Sequence, residues 1–585
     1  MAASFDYIVI GAGSAGGMLA SRLSADRRNR VLLLEGGGSH RHPLVSIPVG
    51  WGQALYNPQF SWGHATEPER WAAGRRIALP RGKVLGGSSS INGMLYVRGD
   101  RADYASWVAH GARGWSWPEL LPYFRHTEDQ ERPDAGTWHG RGGPLPASDL
   151  REPQAVSRAM VDAAVQGGLR RCADFNDGHP DGAGLFQANL RRGRRSSIAV
   201  NAIEPALARP NVSLRPWALV TRIELADGRA VGVQWRNADG TPGHASARAE
   251  VLLCAGALQS PQVLMLSGIG PAGHLRELGI PVRRDLPGVG ANLQDHAIVP
   301  MSWRLHSGVP SLNEHYRGRG LIGSLLRYAF CHRGPMTVPG AEFGAWLSSD
   351  PSLPYNDIEV HGLPASGDIE AFMAGGKAYR AEAYPGMTLA PYQVRPYSRG
   401  SVRLRSADAG DLAVIRMNYL DDERDRRALL HGLRSMRRIA AQPALAALID
   451  AETRPGPRVE SDAEWLDWLG GYLGSGHHAS CTCRMGAADD PLAVVTPDLK
   501  LRGVDGLRVI DASVMPHLIS GNTNAISVVI GDKGADLVLG RPAPMPIDAG
   551  TGALPSAVDP SLWSGCTRAQ SSPQPVTAVR TEPNL

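Results

Sequence analysis

Apolar residues near the N-terminus form two short runs, separated by a polar, glycine-rich stretch. Residues 5–10 read FDYIVI and residues 31–34 read VLLL. Short, nearly continuous apolar runs of this kind are typical of parallel strands that are buried on both faces. Residues 15–26, between the two runs, have the apolar spacing of an amphipathic helix. The pattern therefore predicts a strand, a helix and a second strand at the start of an α/β fold.

A glycine loop joins the first strand to this helix. The hexapeptide Gly11-Ala12-Gly13-Ser14-Ala15-Gly16 fits G-x-G-x-x-G, and Glu35 follows the second strand. Gly11 permits the tight turn, Gly13 lets a pyrophosphate approach and Gly16 lets the helix pack on the sheet. The N–H groups at the helix N-terminus attract phosphate. Glu35 accepts hydrogen bonds from ribose hydroxyls, so the motif predicts a dinucleotide site without separating NAD from FAD.

Later segments of the chain also show the apolar patterns of strands and helices. Residues 251–256 (VLLCAG) read as a buried strand that runs into a turn of small residues, and nucleotide ligands bind at that edge of a sheet. Residues 507–510 (LRVI) also resemble a strand, and residues 401–404 (SVRL) alternate as strands do. Residues 421–448 and 524–539 read as helices. The chain is therefore predicted to mix a parallel sheet, further strands and helices.

Composition excludes several classes of protein. The 585 residues are 43% hydrophobic and 20% charged, which is typical of a globular chain. A net charge of +5 without a dense basic run argues against nucleic acid. No apolar run approaches the ~20 residues of a membrane span. Six scattered cysteines predict neither a disulfide framework nor a metal site, and an N-terminus without a secretory stretch predicts a cytoplasmic location.

Four separate segments resemble one enzyme family. Residues 80–94 read PRGKVLGGSSSINGM, 253–270 read LCAGALQSPQVLMLSGIG, 478–486 read HASCTCRMG and 510–525 read IDASVMPHLISGNTNA. Together they resemble the glucose–methanol–choline (GMC) family of FAD-dependent oxidoreductases over residues 5 to about 540, and within it the choline dehydrogenase branch. A shorter segment also resembles this family, namely Asn292-Leu293-Gln294-Asp295-His296.

The resemblance implies FAD as the cofactor. Some family members link the flavin covalently to a histidine, but Ile91 occupies that position here, so we expect non-covalent FAD. Val220 resembles a residue whose backbone meets the adenine, although a valine in such a run is usually core. Asp511 resembles a residue near the ribityl–phosphate portion and is also a candidate strand-end cap. The residues assigned to FAD are Gly11, Gly13, Ser14, Ala15, Gly16, Glu35, Arg81, Gly86, Gly87, Ser88, Asn92, Gly93, Met94, Val220, Ala255, Asp511, Ala512, Asn522 and Asn524.

The family's catalytic pair maps onto His478 and Asn522. Oxidation of an alcohol removes a proton from oxygen and a hydride from carbon, and histidine is the usual base near neutral pH. His478 aligns with the family's catalytic histidine, with His477 as the neighbouring alternative. Asn522 is expected to hold the forming alkoxide, with Asn524 as its alternative. Both asparagines are also plausible helix caps.

The resemblance also implies a domain arrangement. A Rossmann-like FAD-binding domain is expected from the discontinuous segments 1–300, with insertions at about 150–190, and 475–540. Residues 301–474 are expected to form a substrate-binding domain with an antiparallel sheet and helices. Residues 541–585, rich in Pro, Ser, Ala and Thr, read as a flexible tail.

The predicted function is FAD-dependent oxidation of a small-molecule alcohol to an aldehyde or ketone, by proton abstraction and hydride transfer to flavin N5. The alternatives are a lyase or fatty-acid photodecarboxylase on the same fold, and a flavoprotein that only binds ligand. Neither the alcohol nor the electron acceptor follows from the sequence.

Overall fold

The computed structural model describes residues 3–368 and 380–547. Residues 548–585, which include most of the predicted tail, lie outside the described part. Of that tail, residues 541–547 are described, and the amide of Ile547 donates a hydrogen bond of 3.0 Å to the carbonyl of Pro118.

A seven-stranded sheet carries the predicted nucleotide-binding start. Ala3–Ile10 lies at its centre, parallel to Val31–Leu34 on one side and to Pro242–Leu253 on the other. The predicted strands at 5–10, 31–34, 251–253 and 507–509 all belong to this sheet. In spatial order its main path is Leu219–Ala226, Arg229–Arg236, Pro242–Leu253, Ala3–Ile10, Val31–Leu34 and Val212–Arg215, and Leu507–Val509 also pairs with Pro242–Leu253.

A second, eight-stranded sheet is antiparallel throughout. The chain enters this sheet at Ala297–Ile298, three residues before the domain boundary expected at 300. A strand from the 150–190 insertion, Gly182–Leu185, forms one edge of the sheet. Ala297–Ile298 also pairs with Gly474–Ser475, so this short strand joins the sheet to the segment that precedes His478. The main path is Ile449–Arg454, Met301–Leu305, Gly386–Gln393, Ile358–Leu363, Phe343–Leu347 and Gly182–Leu185.

Smaller sheets complete the strand inventory of the described ranges. One of them, the hairpin of Ser401–Arg403 with Val414–Arg416, confirms the predicted strand at 401–404. The others are Glu128–Gln130 with Leu145–Asp149 and Gln187–Ala188, Leu190–Arg191 with Arg194–Arg195, and Ile269–Gly270 with Arg284–Asp285.

Each large sheet has its own apolar core. One buried cluster surrounds Ile8, Val9 and Leu252 of the partly parallel sheet. Another surrounds Met301, Ile358 and Leu389 of the antiparallel sheet. This arrangement confirms the predicted α/β class with an antiparallel addition. We propose that the two sheets with their cores correspond to the FAD-binding and substrate-binding domains.

The helix Ser14–Leu23 lies against the central strands of the first sheet and carries a second helix on it. Ser14–Leu23 packs against Asn524–Leu539 so closely that a Cβ atom on Gly531 would lie 2.3 Å from the carbonyl oxygen of Ala15. Arg22 pairs with Asp532 and, at 2.6 Å, with Asp536, which neutralises charges buried between the two helices. The long C-terminal helix therefore brings the Asn522–Asn524 segment to the glycine loop.

The helix predicted at 421–448 is divided in two, because Pro443 cannot continue the first helix. The α-helices of the described ranges are Ser14–Leu23, Pro43–Ser46, Trp51–Ala54, Arg101–Ala109, Trp117–Thr127, Ala155–Gln166, Glu204–Leu207, Ser260–Leu266, Ala272–Glu277, Leu312–His315, Gly318–Cys331, Glu423–Ala440, Pro443–Ala446, Asp462–Tyr472 and Asn524–Leu539.

Candidate active site

One long cleft runs from the first glycine loop to the segment of His478. It holds about 1810 Å³ of space, part of which is open to solvent. Of the predicted site residues, all but two line its walls. The lining residues are Gly11, Gly13, Ser14, Ala15, Glu35, Arg81, Gly87, Ser88, Asn92, Gly93, Met94, Val220, Ala255, His478, Asp511, Ala512, Asn522 and Asn524.

Gly16 and Gly86, the two exceptions, lie behind the wall and have packing roles. A Cβ atom on Gly16 would lie 2.0 Å from the carbonyl oxygen of Gly11, so glycine is needed for the helix to approach the strand end. Gly86 has a φ of 87° and its amide donates to the carbonyl of Ala12 at 2.8 Å. Gly86 thereby ties the second glycine loop to the first.

Two glycine loops meet at the nucleotide end of the cleft. A Cβ atom on Gly87, whose φ is 54°, would lie 2.7 Å from the Cα atom of Gly13, so the second loop needs glycine where it meets the first. Ser14, the first residue of its helix, donates from Oγ to Oδ1 of Asn524, the first residue of the C-terminal helix, at 2.9 Å. Two helix N-termini therefore face one cleft, an arrangement that favours anions.

Glu35 lies at the carboxyl end of Val31–Leu34. Its carboxylate accepts hydrogen bonds from the amides of Ala12, at 3.0 Å, and Gly37, at 2.7 Å. Burial raises the pKa of Glu35 to about 7, although both amides act in the opposite direction. The side chain thus orders the glycine loop and also borders the cleft, and its carboxylate has acceptor capacity left for a ligand.

Asp511 is tied in a similar way at the end of Leu507–Val509. Its Oδ2 accepts from the amide of Gly256 at 2.8 Å and from Oγ of Ser260 at 2.5 Å. Its Oδ1 accepts from the amide of Ser513 at 2.8 Å, as a cap of the following short helix. Asp511 therefore serves as the strand-end cap that was one of its two predicted roles, and it also borders the cleft.

The opposite end of the cleft brings His478 and Asn522 together. Nδ2 of Asn522 lies 3.0 Å from Nε2 of His478, and Nδ1 of His478 lies 2.9 Å from Nδ1 of His296. Because the amide nitrogen only donates, Nε2 of neutral His478 must accept. Nδ1 of His478 then carries the proton and donates it to His296. Oδ1 of Asn522 is buried and has no hydrogen-bond partner within the described ranges.

Burial keeps these imidazoles neutral. It is the main cause that lowers the pKa of His478 well below its usual value, and nearby His296 adds to the effect. Burial also lowers the pKa of His296 to about 3. A neutral His478 that is unprotonated at Nε2, where a substrate hydroxyl can replace the Asn522 amide, has the form that a general base requires.

Asp295 fixes the backbone that carries His478. Its Oδ1 accepts from the amide of His478 at 2.6 Å, and its Oδ2 accepts from the hydroxyl groups of Tyr419, at 2.6 Å, and Ser475. Asp295 and His296 both belong to the segment 292–296, whose family likeness was visible in the sequence. The sequence did not, however, indicate that this segment lies beside His478.

His477 also lines the cleft but is held differently. It has a left-handed backbone, with a φ of 65°, and its amide donates to Oγ of Ser475 at 2.8 Å. Its ring lies edge-on to Tyr56, with 6.4 Å between centroids, and burial lowers its pKa to about 3. Within the described ranges His477 has no contact with Asn522 or His296 that resembles those of His478.

His361 and Tyr392 are cleft residues that sequence reasoning missed. They lie on neighbouring antiparallel strands, and the hydroxyl group of Tyr392 lies 2.9 Å from Nδ1 of His361. Nε2 of His361 lies 2.9 Å from Oε1 of the buried Glu359. Their place at the site depends on how two strands of the second sheet pair, for which the sequence carries no motif.

The residues present fit FAD. Arg81 is half-buried, and its Nη1 donates to the carbonyl of Pro80 at 2.9 Å. Its Nη2 atom is itself buried and has no partner within the described ranges. A buried unpaired donor of this kind needs an acceptor from a ligand. The helix N-termini suit a pyrophosphate, and Glu35 suits ribose hydroxyls. Ile91 also lines the cleft, and its hydrocarbon side chain offers no atom for a covalent flavin link.

Neither a metal centre nor a membrane-spanning helix occurs in the described ranges. No group of three or more His, Cys, Asp or Glu side chains there is arranged to hold a metal ion. Cys481 and Cys483 are both buried. Over residues 3–368 and 380–547, no helix combines the length and apolar character needed to cross a bilayer.

Comparison with known proteins identifies the family. Profiles of the GMC oxidoreductase family match residues 5–298 and 396–531. The chain is 39% identical to the oxygen-dependent choline dehydrogenase of Rhizobium rhizogenes over 547 residues, which covers 92% of this chain and 96% of the relative.

Solved structures agree with this result. Pyridoxine 4-oxidase from Mesorbium loti superposes with a TM-score of 0.80 at 32% identity, covering 91% of this chain and 98% of that one. A formate oxidase variant from Aspergillus oryzae gives 0.85 at 25% identity, covering 92% and 98%. The chain therefore belongs to the GMC oxidoreductase family and is a FAD-dependent oxidoreductase that acts on CH–OH groups.

Proposed function

We propose that this enzyme oxidises a small alcohol at the His478–Asn522 end of the cleft. The observation that carries the proposal is a series of two hydrogen bonds through His478. Nδ2 of Asn522 lies 3.0 Å from Nε2 of His478, and Nδ1 of His478 lies 2.9 Å from Nδ1 of His296. In this series the acceptor Nε2 and the donor Nδ2 are bonded to each other, so a substrate hydroxyl that replaces this contact meets both the base and the oxyanion donor.

Each residue has a distinct task. Nε2 of His478 accepts the hydroxyl proton of the substrate, while Nδ2 of Asn522 donates to the substrate oxygen as its negative charge develops. His296 accepts from Nδ1 of His478 before and after proton transfer, and so stabilises the imidazolium that forms. Asp295 holds the backbone of His478 in place. FAD, when bound, supplies the acceptor for the hydride that leaves the carbinol carbon.

We propose that FAD is held non-covalently by both glycine loops, Glu35, Arg81 and the N-termini of the two helices. Support comes from the convergence of Gly13 and Gly87 and from the buried, unpartnered Nη2 atom of Arg81. These residues bind and orient the cofactor, whereas the proton is handled by His478.

We propose a primary alcohol of modest size as the substrate, with choline as the first compound to test. The name of the Rhizobium rhizogenes relative supports choline. The cleft wall includes Trp51, Tyr392 and His361 and, within the described ranges, no carboxylate other than Glu35 and Asp511. A quaternary ammonium group would therefore be bound mainly by aromatic faces. The same aromatic faces also suit an aromatic alcohol. The relatives give no support to the alternative reactions, a lyase or a decarboxylase reaction.

The test is anaerobic flavin reduction by a panel of alcohols, followed in a stopped-flow instrument. Choline, benzyl alcohol, pyridoxine and a short aliphatic alcohol sample cationic, aromatic, heteroaromatic and simple substrates. We expect at least one to bleach the flavin, and Asn522→Ala to slow that reduction by about 10²-fold, the usual scale for one lost oxyanion donor.

Asn524→Ala is the matched control for this variant, because Asn524 contacts Ser14 and not His478. It should affect FAD retention more than the rate of reduction. No bleaching by any alcohol, or equal reduction rates for Asn522→Ala and the wild type, would contradict the proposal.

A further inference from the structure

The helix Gly318–Cys331 turns an apolar face to solvent. Ile322, Leu325, Leu326 and Phe330 are 60%, 45%, 54% and 83% exposed, and they are four of the eight exposed large apolar side chains in the described ranges. Their spacing of three and four residues places them on one side of the helix. A continuous exposed apolar face of this kind marks a binding surface more often than scattered single residues do.

The helix and its immediate flanks, residues 315–341, carry formal charges of one sign only. Between Glu314 and Glu342 the chain contains four arginines and no aspartate or glutamate. Arg327 pairs with Glu152 at 2.9 Å, which anchors one side of the helix to the body of the protein. The other three, Arg317, Arg319 and Arg333, are exposed near the two ends of the helix.

We propose that the Gly318–Cys331 helix docks this enzyme onto a phospholipid bilayer with anionic headgroups. The helix lies in the plane of the interface, with Leu326 and Phe330 among the upper acyl chains and the arginines on the phosphates. An apolar face bordered by basic residues is the pattern of interfacial helices. At about 1.5 Å per residue its 14 residues are too short to span a bilayer, so the helix lies on the membrane and does not cross it.

Charge complementarity favours the bilayer over a second copy of the chain. A two-fold interface brings the same patch of each subunit together, so arginines of one copy would approach arginines of the other. The segment between Glu314 and Glu342 supplies no carboxylate that could pair with them. Anionic headgroups supply that charge, and each basic residue near such a surface adds to binding.

The helix is also close to the cleft. The turn Pro335–Thr337 follows it directly and packs against Pro48–Gly50, which leads into the cleft residue Trp51. Gly340, a few residues further on, forms part of the cleft wall. Docking through this helix therefore brings that wall of the cleft near the lipid surface.

Vesicle sedimentation of the full-length, FAD-loaded enzyme tests the proposal. We expect binding to vesicles of phosphatidylcholine mixed with phosphatidylglycerol, and at least tenfold weaker binding to phosphatidylcholine alone. The double variant Ile322→Asp/Phe330→Asp should lose at least tenfold in affinity for the anionic vesicles. Leu412→Asp is the matched control, because Leu412 is exposed to 38% outside this helix, and it should bind as the wild type does.

A spectroscopic measurement locates the contact. Cys331 is an exposed free thiol at the end of the helix, so an environment-sensitive dye can be attached to it in a Cys566→Ser background. We expect the dye emission to shift to the blue when anionic vesicles are added. An unchanged flavin spectrum and unchanged alcohol turnover without vesicles show that the variants are folded.

Three outcomes would overturn the proposal. The first is a wild-type enzyme that does not sediment with anionic vesicles. The second is equal binding by Ile322→Asp/Phe330→Asp and by the wild type. The third is a dimer in sedimentation velocity that this double variant dissociates, which would assign the helix to a second copy of the chain.

Discussion

Nδ1 of His296 lies 2.9 Å from Nδ1 of His478, so one imidazole holds the other in a single tautomer. The contact directs the lone pair of His478 toward Asn522 and the cleft. We predict that His296→Ala lowers the rate of flavin reduction about tenfold, the value of one hydrogen bond to the base. His296→Asn should retain most of the rate, because Oδ1 of asparagine occupies the place of Nδ1 and also accepts.

Single-turnover reduction of both variants at saturating alcohol measures this effect. A purely structural role of His296 predicts equal losses in the alanine and asparagine variants, together with loss of FAD. Recovery of the rate in His296→Asn alone would support the hydrogen bond as the cause.

The adjacent histidines provide a test of the base itself. We predict that His478→Ala slows flavin reduction by about 10²–10⁴-fold, the usual cost of losing a general base. His477→Ala should cost much less, because its ring contacts Tyr56 and not Asn522. Stopped-flow reduction of the two variants decides between them. The reverse order of losses would move the base by one residue, and undiminished rates in both would refute base catalysis here.

The pH dependence of reduction follows from the burial of His478. Only the neutral imidazole accepts a proton, and burial lowers the pKa of His478 well below 6.5. We therefore predict a level rate from pH 6.5 upward, and a loss only as the pH falls below that value. Measurement of kcat/KM from pH 5 to 9 tests this. A loss of activity centred above pH 7 would show that another group controls the reaction.

Glu35 should control FAD affinity in a pH-dependent manner. The ionised carboxylate accepts hydrogen bonds, and its pKa is raised to about 7 by burial. We predict that the apoprotein binds FAD more weakly at pH 6 than at pH 8, and that Glu35→Gln removes this difference. Glu35→Ala should weaken binding by about 10- to 100-fold at pH 8, because two buried amides lose their acceptor.

Titration of the apoproteins with FAD, followed by fluorescence quenching, measures these affinities. The chemistry of the flavin that remains bound should be nearly unchanged in Glu35→Ala. Equal affinities for the wild type and Glu35→Ala would exclude Glu35 from the dinucleotide site.

Release of the cofactor tests its mode of attachment. Because Ile91 lines the cleft with a hydrocarbon side chain, we predict that acid or heat frees intact FAD from the protein. The supernatant of the precipitated holoenzyme is assayed for FAD by chromatography and absorbance. Yellow colour that stays with the denatured chain would show a covalent link through another residue.

The sequence predicted the parts of the fold that local patterns determine. The strand–loop–helix start, the strand before Asp511 and the helix that begins at Asn524 occur as predicted, because apolar periodicity and glycine positions specify them. Residues whose positions depend on pairing of distant strands were not found. His361, Tyr392 and the role of His296 depend on the register of the antiparallel sheet, which no local pattern encodes.

The short strand Ala297–Ile298 has a consequence for how this site tolerates change. It pairs with Gly474–Ser475 and thereby fixes which of two consecutive histidines reaches Asn522. If one residue were inserted between Ser475 and His477, the chain after this fixed pairing would move forward by one place, and His477 would take the base position. Deletion of Gly476 would instead move the chain back by one place and put Ala479 at the base position. Two consecutive histidines therefore let the active site tolerate a one-residue insertion before them, whereas a one-residue deletion there removes the base.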